Sequence, residues 1–240
     1  MFEQLSSGIR NLRARRHTSK LRGKLKAEVE KLEAQRKPLK LVVGAGSPEP
    51  RVGEAGTPYE GWLLTDVDAL NALRHEEWAA LFRPRSIENI LAEHVMEHLT
   101  EEQFLEFLGV VRDFLAPSAR VRIAVPDGFH PDPAYIEQVR PGGTGPGADD
   151  HKTLYTYSRM AELLAGAGWR YDFLEYFDER GRFHMKPWDD REGVIRRSAL
   201  NDPRNKERPQ AYTSLIVDVR PKDFRAGGGE RPQENSPSRL

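Results

Sequence analysis

The sequence predicts an open α/β sheet, mostly parallel, with helices on both faces and an antiparallel strand at one edge. Three observations carry this. From residue 39 onward, short aliphatic runs alternate with stretches of helical periodicity. The first run ends in the turn Gly44-Ala45-Gly46 and the second ends in an acid, Asp66. The last two runs have no helical pattern between them, which suits an antiparallel pair.

Residues 1–37 read as helix, with apolar stripes at Phe2, Leu5, Ile9, Leu12 and at Leu21, Leu25, Val29, Leu32. Pro38 ends this arm. Leu39–Val43 is the first strand, residues 47–61 a loop, and Gly61–Asp66 the second strand. Asp68–Leu81 has helical character. Ser86–Ala92 is a third strand candidate. Thr100 caps a helix over 101–115, with Glu102 and Gln103 near the capping-box position. Arg120–Val125 is a further strand, and 126–150 a long Pro/Gly-rich loop of the kind that is usually functional. A helix over 158–166 is closed by Gly168. Trp169–Phe177 alternates as a strand, 178–210 is polar, and Tyr212–Val219 closes the sheet. The division expected is a basic helical arm over 1–38, an α/β domain over 39–222 and a disordered tail over 223–240.

The 37 basic and 37 acidic residues cancel, but not evenly. Residues 1–40 hold 12 Lys/Arg against 4 Asp/Glu, a net of +8, so the remaining 200 residues carry −8. The overall balance speaks against a sequence-specific nucleic-acid binder. The arm suits a helix packing on the body or on a second copy, or contact with an anionic surface or protein partner. With no cysteine, disulfides, thiolate metal sites and cysteine nucleophiles are excluded. No apolar run approaches the roughly 18–20 residues of a membrane span, and a cytoplasmic location is expected. Neither a G-x-S-x-G elbow nor a Walker lysine is present.

Glycines at 44 and 46 allow a close backbone approach to a ligand. The dinucleotide fingerprint would need a third glycine and an immediate helix, and Ser47-Pro-Glu-Pro50 follows instead. Asp66 stands where an acid can accept from ribose hydroxyls; Asp68 suits a helix N-cap. The densest polar cluster is Glu93-His94-Val-Met-Glu97-His98. It matches the H-x-x-E-H zinc pattern, which belongs within a helix, whereas here a strand runs out just before it. No metal is therefore expected here. The long loops offer Asp127, His130, Asp132, Asp149, Asp150, His151 and His184 as bases or hard-metal ligands, and Tyr155, Tyr157 and Trp188 as the lining of an acceptor pocket.

Taken together, Val43–Gly46, Gly61–Asp66, Ala92-Glu-His-Val-Met-Glu-His-Leu99, Arg122–Gly128, Asp150-His-Lys152, Gly168-Trp169 and Tyr212–Asp218 resemble the class I S-adenosylmethionine-dependent methyltransferases. The similarity is to small predicted bacterial members with an hxxEHL segment after the fourth strand, and it spans about 39–220. It implies a Rossmann-like fold and S-adenosyl-L-methionine as cofactor. Gly44, Ala45 and Gly46 would lie beside its methionine part, Asp66 would hold the ribose, and Glu77 or Trp78 would fall near the adenine. Glu93 and His94 would border the sulfonium. It also makes 87–92 the fourth strand, so a short third strand is implied within 69–82. The departures are the missing acid in Leu39–Val43, the missing third glycine, and Leu115-Ala-Pro-Ser-Ala119 in place of L-x-P-G-G.

The resemblance implies methyl transfer to an acceptor, expected to be a small molecule or a glycan or lipid precursor. His98, Asp127 and His151 are the candidate proton acceptors. Two other readings stand beside it. One is an inactive methyltransferase-like module docking through its basic arm. The other is a zinc hydrolase using His94, Glu97 and His98.

Overall fold

A computed structural model describes residues 2–47 and 49–222, with 2–16 as helical backbone only. The tail expected over 223–240 lies outside the described residues, as do the side chains of the first apolar stripe. Helix α1 (Phe2–Ala34) forms the arm. It ends where Arg36 takes a φ of 53° and the Lys37 N–H donates to the Leu32 carbonyl at 3.0 Å, a Schellman-type close. Its second stripe, Leu21, Leu25, Val29 and Leu32, is at most 3% exposed and packs in the main core of the body. Ion pairs from Arg22 to Glu77, Lys24 to Glu49 and Arg83 to Glu33 fasten the same half.

Eight strands follow: β1 (Leu39–Val43), β2 (Arg51–Val52), β3 (Leu63–Leu64), β4 (Ile87–Glu93), β5 (Leu115–Val125), β6 (Trp169–Phe177), β7 (Phe183–Met185) and β8 (Leu215–Pro221). They make one sheet in the order β2-β3-β1-β4-β5-β8-β6-β7. Strands β3, β1, β4 and β5 pair in parallel. Strand β8 runs antiparallel to both of its neighbours, β5 and β6. The arrangement is Rossmann-like, with a parallel centre of β3, β1, β4 and β5 and with β2, β8 and β7 reversed against it. Strand β8 stands two places inside the edge, and the edge strand β7 is itself antiparallel to β6.

The connections are helices α2 (His75–Ala79), α3 (Glu101–Arg112), α4 (Pro133–Val139) and α5 (Tyr157–Gly166). Thr100 and Gln103 close a capping box on α3, and α5 is capped by Thr156.

Three expectations need correction. Residues 69–82 hold no strand; they hold turns and α2, and β2, antiparallel to β3, takes the edge position instead. The loop over 126–150 contains α4, started by Asp132 as N-cap with Pro133 in its first turn. Those prolines fit a helix start as well as a loop. The polar stretch 178–210 contains β7.

Alternation along the strands divides the core. Leu41, Val43, Ile90, Ala92, Val121, Ile123 and Val217 face a large cluster with α1, α2, α3 and α5. Val42, Leu64, Leu91, Ala124, Leu174 and Ile216 face the other side, where they cluster with Trp62 and Ile195. Helices thus line one face, and much of the other face is covered by irregular segments.

Candidate functional site

The carboxyl ends of β1, β3, β4, β5 and β6 share one edge with the amino end of β8, since β8 is reversed. That edge gathers the polar residues singled out in the sequence. Gly44 and Gly46 adopt φ of 66° and 68°, a region in which other residues are strained. A Cβ on Gly44 would come within 2.4 Å of Val95 Cγ2, so Val95 fills that space. A Cβ on Gly46 would meet nothing within 4 Å. Ala45 donates its N–H to the Thr65 carbonyl, which ties the turn to the end of β3.

Asp66 completes this corner. Its Oδ2 accepts the Gly46 N–H at 2.8 Å and its Oδ1 the Val67 N–H at 2.7 Å. A carboxylate has about four acceptor positions, so two remain after the main-chain bonds. An open Gly46 thus stands beside an acid with acceptor capacity in hand. Its neighbour Val67 is 63% exposed, so the rim here opens to solvent.

Glu77 and Trp78 are placed differently. The Trp78 indole is fully buried in the main core and donates to the Asn71 carbonyl. Glu77 accepts the Asn71 N–H at 2.9 Å and pairs with Arg22 of α1. Both side chains are thus committed to packing and fastening.

At the end of β4, the Glu93 side chain is nearly buried. It accepts from Tyr59 Oη at 3.0 Å and from the Arg197 N–H at 2.8 Å. Burial and the adjacent Glu93 charge push the Tyr59 hydroxyl well above its ordinary pKa. Glu93 thereby pins two loops over the second face of the sheet.

His94 has a φ of 54°, a conformation uncommon for a non-glycine residue. Its Nε2 lies 3.0 Å from Ser214 Oγ, and its Nδ1 lies 2.9 Å from Glu97 Oε1. Ser214 Oγ spends its one proton on the Arg197 carbonyl, so His94 Nε2 must be the donor to it.

Asp127 is fully buried. Its two oxygens accept the Phe129 and Phe177 N–H groups at 2.9 and 2.7 Å. Burial pushes its pKa up to about 6, against the pull of those two bonds. His98 and His151 lie together, with ring centroids 4.8 Å apart. His151 Nδ1 donates to the Val139 carbonyl at 2.7 Å.

The aromatic lining expected for an acceptor pocket does not converge. Tyr155 is buried in the main core. Tyr157 reaches Glu179. Trp188 lines a cavity of about 850 Å³ with Ser118, Arg120, Arg170 and Arg220, at the opposite, amino end of β5. Among the loop residues, His130 is buried and donates to the Gln210 carbonyl, and His184 pairs with Asp178. Asp132 caps α4 and pairs with Arg208. Sequence reasoning missed Glu175, a buried acid that accepts from the Ala199 and Ser214 N–H groups. Its only sequence signal is a charge at an inward position of an alternating strand.

No family model matches this chain, and no curated sequence does. Solved structures do match. One is a SAM-dependent methyltransferase from Archaeoglobus fulgidus, with a TM-score of 0.40 and 15% identity over 83% of this chain and 95% of that one. Another is DhpI in complex with SAH, at 0.40 and 13% over 88% and 97%. A third is Burkholderia thailandensis 1,6-didemethyltoxoflavin-N1-methyltransferase, at 0.40 and 14% over 86% and 76%. No helix among the described residues is long and apolar enough to cross a membrane.

Proposed function

We propose that the protein is an S-adenosylmethionine-dependent methyltransferase. One observation carries the reading: Gly46 and Asp66 meet at the carboxyl edge of the sheet's parallel centre. Asp66 would hold the ribose hydroxyls through its remaining acceptor positions, and the open side of Gly46 would border the rest of the nucleoside. When bound, the cofactor supplies an electrophilic methyl group. The chain's own task is to orient the acceptor, exclude water and manage one proton. Asp127, unlike Asp66 at its open rim, is fully buried with both oxygens bonded to main-chain N–H groups. That leaves His98 and His151 to manage the proton, directly or as ligands of an ion.

Calorimetric titration of the full chain with S-adenosylmethionine and S-adenosylhomocysteine tests this. One-to-one binding is expected. Asp66→Ala should weaken it by about 100-fold or more, the order of two lost charge-assisted hydrogen bonds, with the thermal transition little changed. Absence of binding to the wild-type chain at millimolar ligand would leave a docking module in place of an enzyme.

A further inference from the structure

The three-residue helical turn Met96–His98 follows β4, and the segment after Ala148–Asp150 runs beside it. Main-chain bonds fix the two together. The Glu97 carbonyl accepts the N–H groups of Lys152 at 2.7 Å and Thr153 at 3.2 Å, and Thr153 Oγ1 donates to the Leu99 carbonyl at 3.0 Å. These bonds bring His151 against Glu97 and His98, more than fifty residues away in sequence. One ligand atom from each of the three lies within 4.8 Å of the others.

Glu97 is the telling member. It is fully buried, and neither of its carboxylate oxygens makes a well-formed hydrogen bond. Oε1 lies 2.9 Å from His94 Nδ1, and Oε2 has no partner among the described residues. A buried carboxylate oxygen left without a donor costs free energy on the order of 1–3 kcal/mol or more. Such groups are retained where something else completes them.

The surrounding groups are arranged as outer supports. His151 donates its Nδ1–H to the Val139 carbonyl, which leaves the Nε2 lone pair pointing away from that bond. His98 Nδ1 lies 3.3 Å from the Asp150 carboxylate. His94 holds the Oε1 side of Glu97. Each of the three thus has a polar group at its far side, the outer shell that fixes tautomer and ring orientation around metal ions.

We propose that Glu97, His98 and His151 bind a divalent first-row transition metal ion. Two imidazoles and one carboxylate on three corners, with the remaining positions open, is a donor set for zinc or ferrous iron rather than for calcium or magnesium. Ligand atoms about 2.1 Å from such an ion stand about 3–3.5 Å apart. Closure by roughly an ångström, through side-chain rotation of the two half-exposed histidines, is enough. The set differs from the H-x-x-E-H pattern of the sequence. There His94 would be a ligand, but both of its ring nitrogens are engaged, with Ser214 and Glu97. His151, far along the chain, takes its place. The site does not depend on S-adenosylmethionine binding. The ion's open positions would face whatever molecule occupies this edge, and there it would polarise a coordinated oxygen.

The test uses untagged full-length protein stripped with a chelator and dialysed. Zinc is titrated against a chromophoric zinc chelator, and cobalt(II) is added to a second sample while its visible d–d absorption is recorded. One zinc per chain is expected, with a cobalt spectrum of low coordination number. His151→Gln and His98→Gln should each weaken zinc binding by at least about 100-fold, a loss no smaller than removal of an outer-shell group causes, and should alter the cobalt bands. His184→Gln, at a histidine outside the group, should leave both unchanged. Glu97→Gln is a further variant, and its result counts only if its circular dichroism matches wild type. Absence of stoichiometric zinc binding by the wild-type chain would overturn the site. So would full affinity in His151→Gln, which would return the ion to His94 and His98.

Discussion

One face of the sheet is covered by helices that present hydrocarbon; the other is covered in large part by irregular segments that polar side chains hold in place. On the first, Leu21, Leu25, Phe104, Phe107, Met160 and Leu164 fill a continuous core. On the second, a smaller apolar cluster around Trp62 and Ile195 is supplemented by directed bonds. Arg122, fully buried on β5, makes a two-pronged pair with Asp218 of β8 at 2.8 and 3.0 Å and donates to the Gly193 carbonyl at 2.6 Å. Glu175 holds the segment around Ala199, and Glu93 holds Arg197. Helices satisfy their own backbone, so they need only an apolar stripe to dock. Irregular segments bring unpaired N–H and C=O groups to the sheet, and buried side chains must meet them. The difference predicts that the two faces fail in different ways.

The largest effect should come from the polar face. Asp218→Ala leaves the Arg122 guanidinium buried without its carboxylate, and urea unfolding should show a loss of about 3–5 kcal/mol. Replacing the pair together, Arg122→Met with Asp218→Leu, should restore most of that. A double variant no better than the single would mean that the lost Gly193 contact, not the stranded charge, carries the cost.

On the helical face, Leu25→Ala should cost about 2–5 kcal/mol through the cavity it leaves. It should also show that the arm is part of the cooperative unit. If the loss is under about 1 kcal/mol, α1 docks as a separable element.

The smallest effect is a slope rather than a step. Burial pushes the Glu175 carboxyl from 4.5 up to about 7, with the nearby Asp127 charge adding to it. The folded chain then holds a proton that the unfolded chain has released. Unfolding free energy should therefore fall as pH rises through about 4.5 to 7, by on the order of 2–3 kcal/mol from this group. Comparison of wild type with Glu175→Gln over that interval isolates the contribution. A constant difference between the two would show that the carboxyl stays ionised throughout, held by the main-chain donors of Ala199 and Ser214.

The same contrast explains what could be read from the residues alone. Elements on the helical face declare themselves through period and caps: α3 by Thr100 and its apolar stripe, α5 by its closing Gly168, β1 by Leu39–Val43. The second half of α1 was legible as a stripe, yet nothing in its spacing says that the stripe packs in the body's own core. Helix α4 was hidden because Pro131 and Pro133 read as loop, although Pro133 after Asp132 is also a helix start. Strand β2 is two residues long, too short to carry a period.

For the candidate site, the sequence by itself determined which residue types exist, where the strands end, and hence that Gly46 and Asp66 stand at the carboxyl edge of the sheet. It could not decide which of the remaining acids and histidines are free for chemistry. Asp127, Glu93 and Glu77 are held by main-chain and arm contacts made across 50 to more than 100 residues. Glu97, His98 and His151 gained theirs by the same means, when the Glu97 carbonyl captured the chain after His151. Strand period and capping are local, set by neighbours a few residues apart. The company a buried polar group keeps is set by whichever distant backbone needs a donor or an acceptor, and only the folded chain decides that.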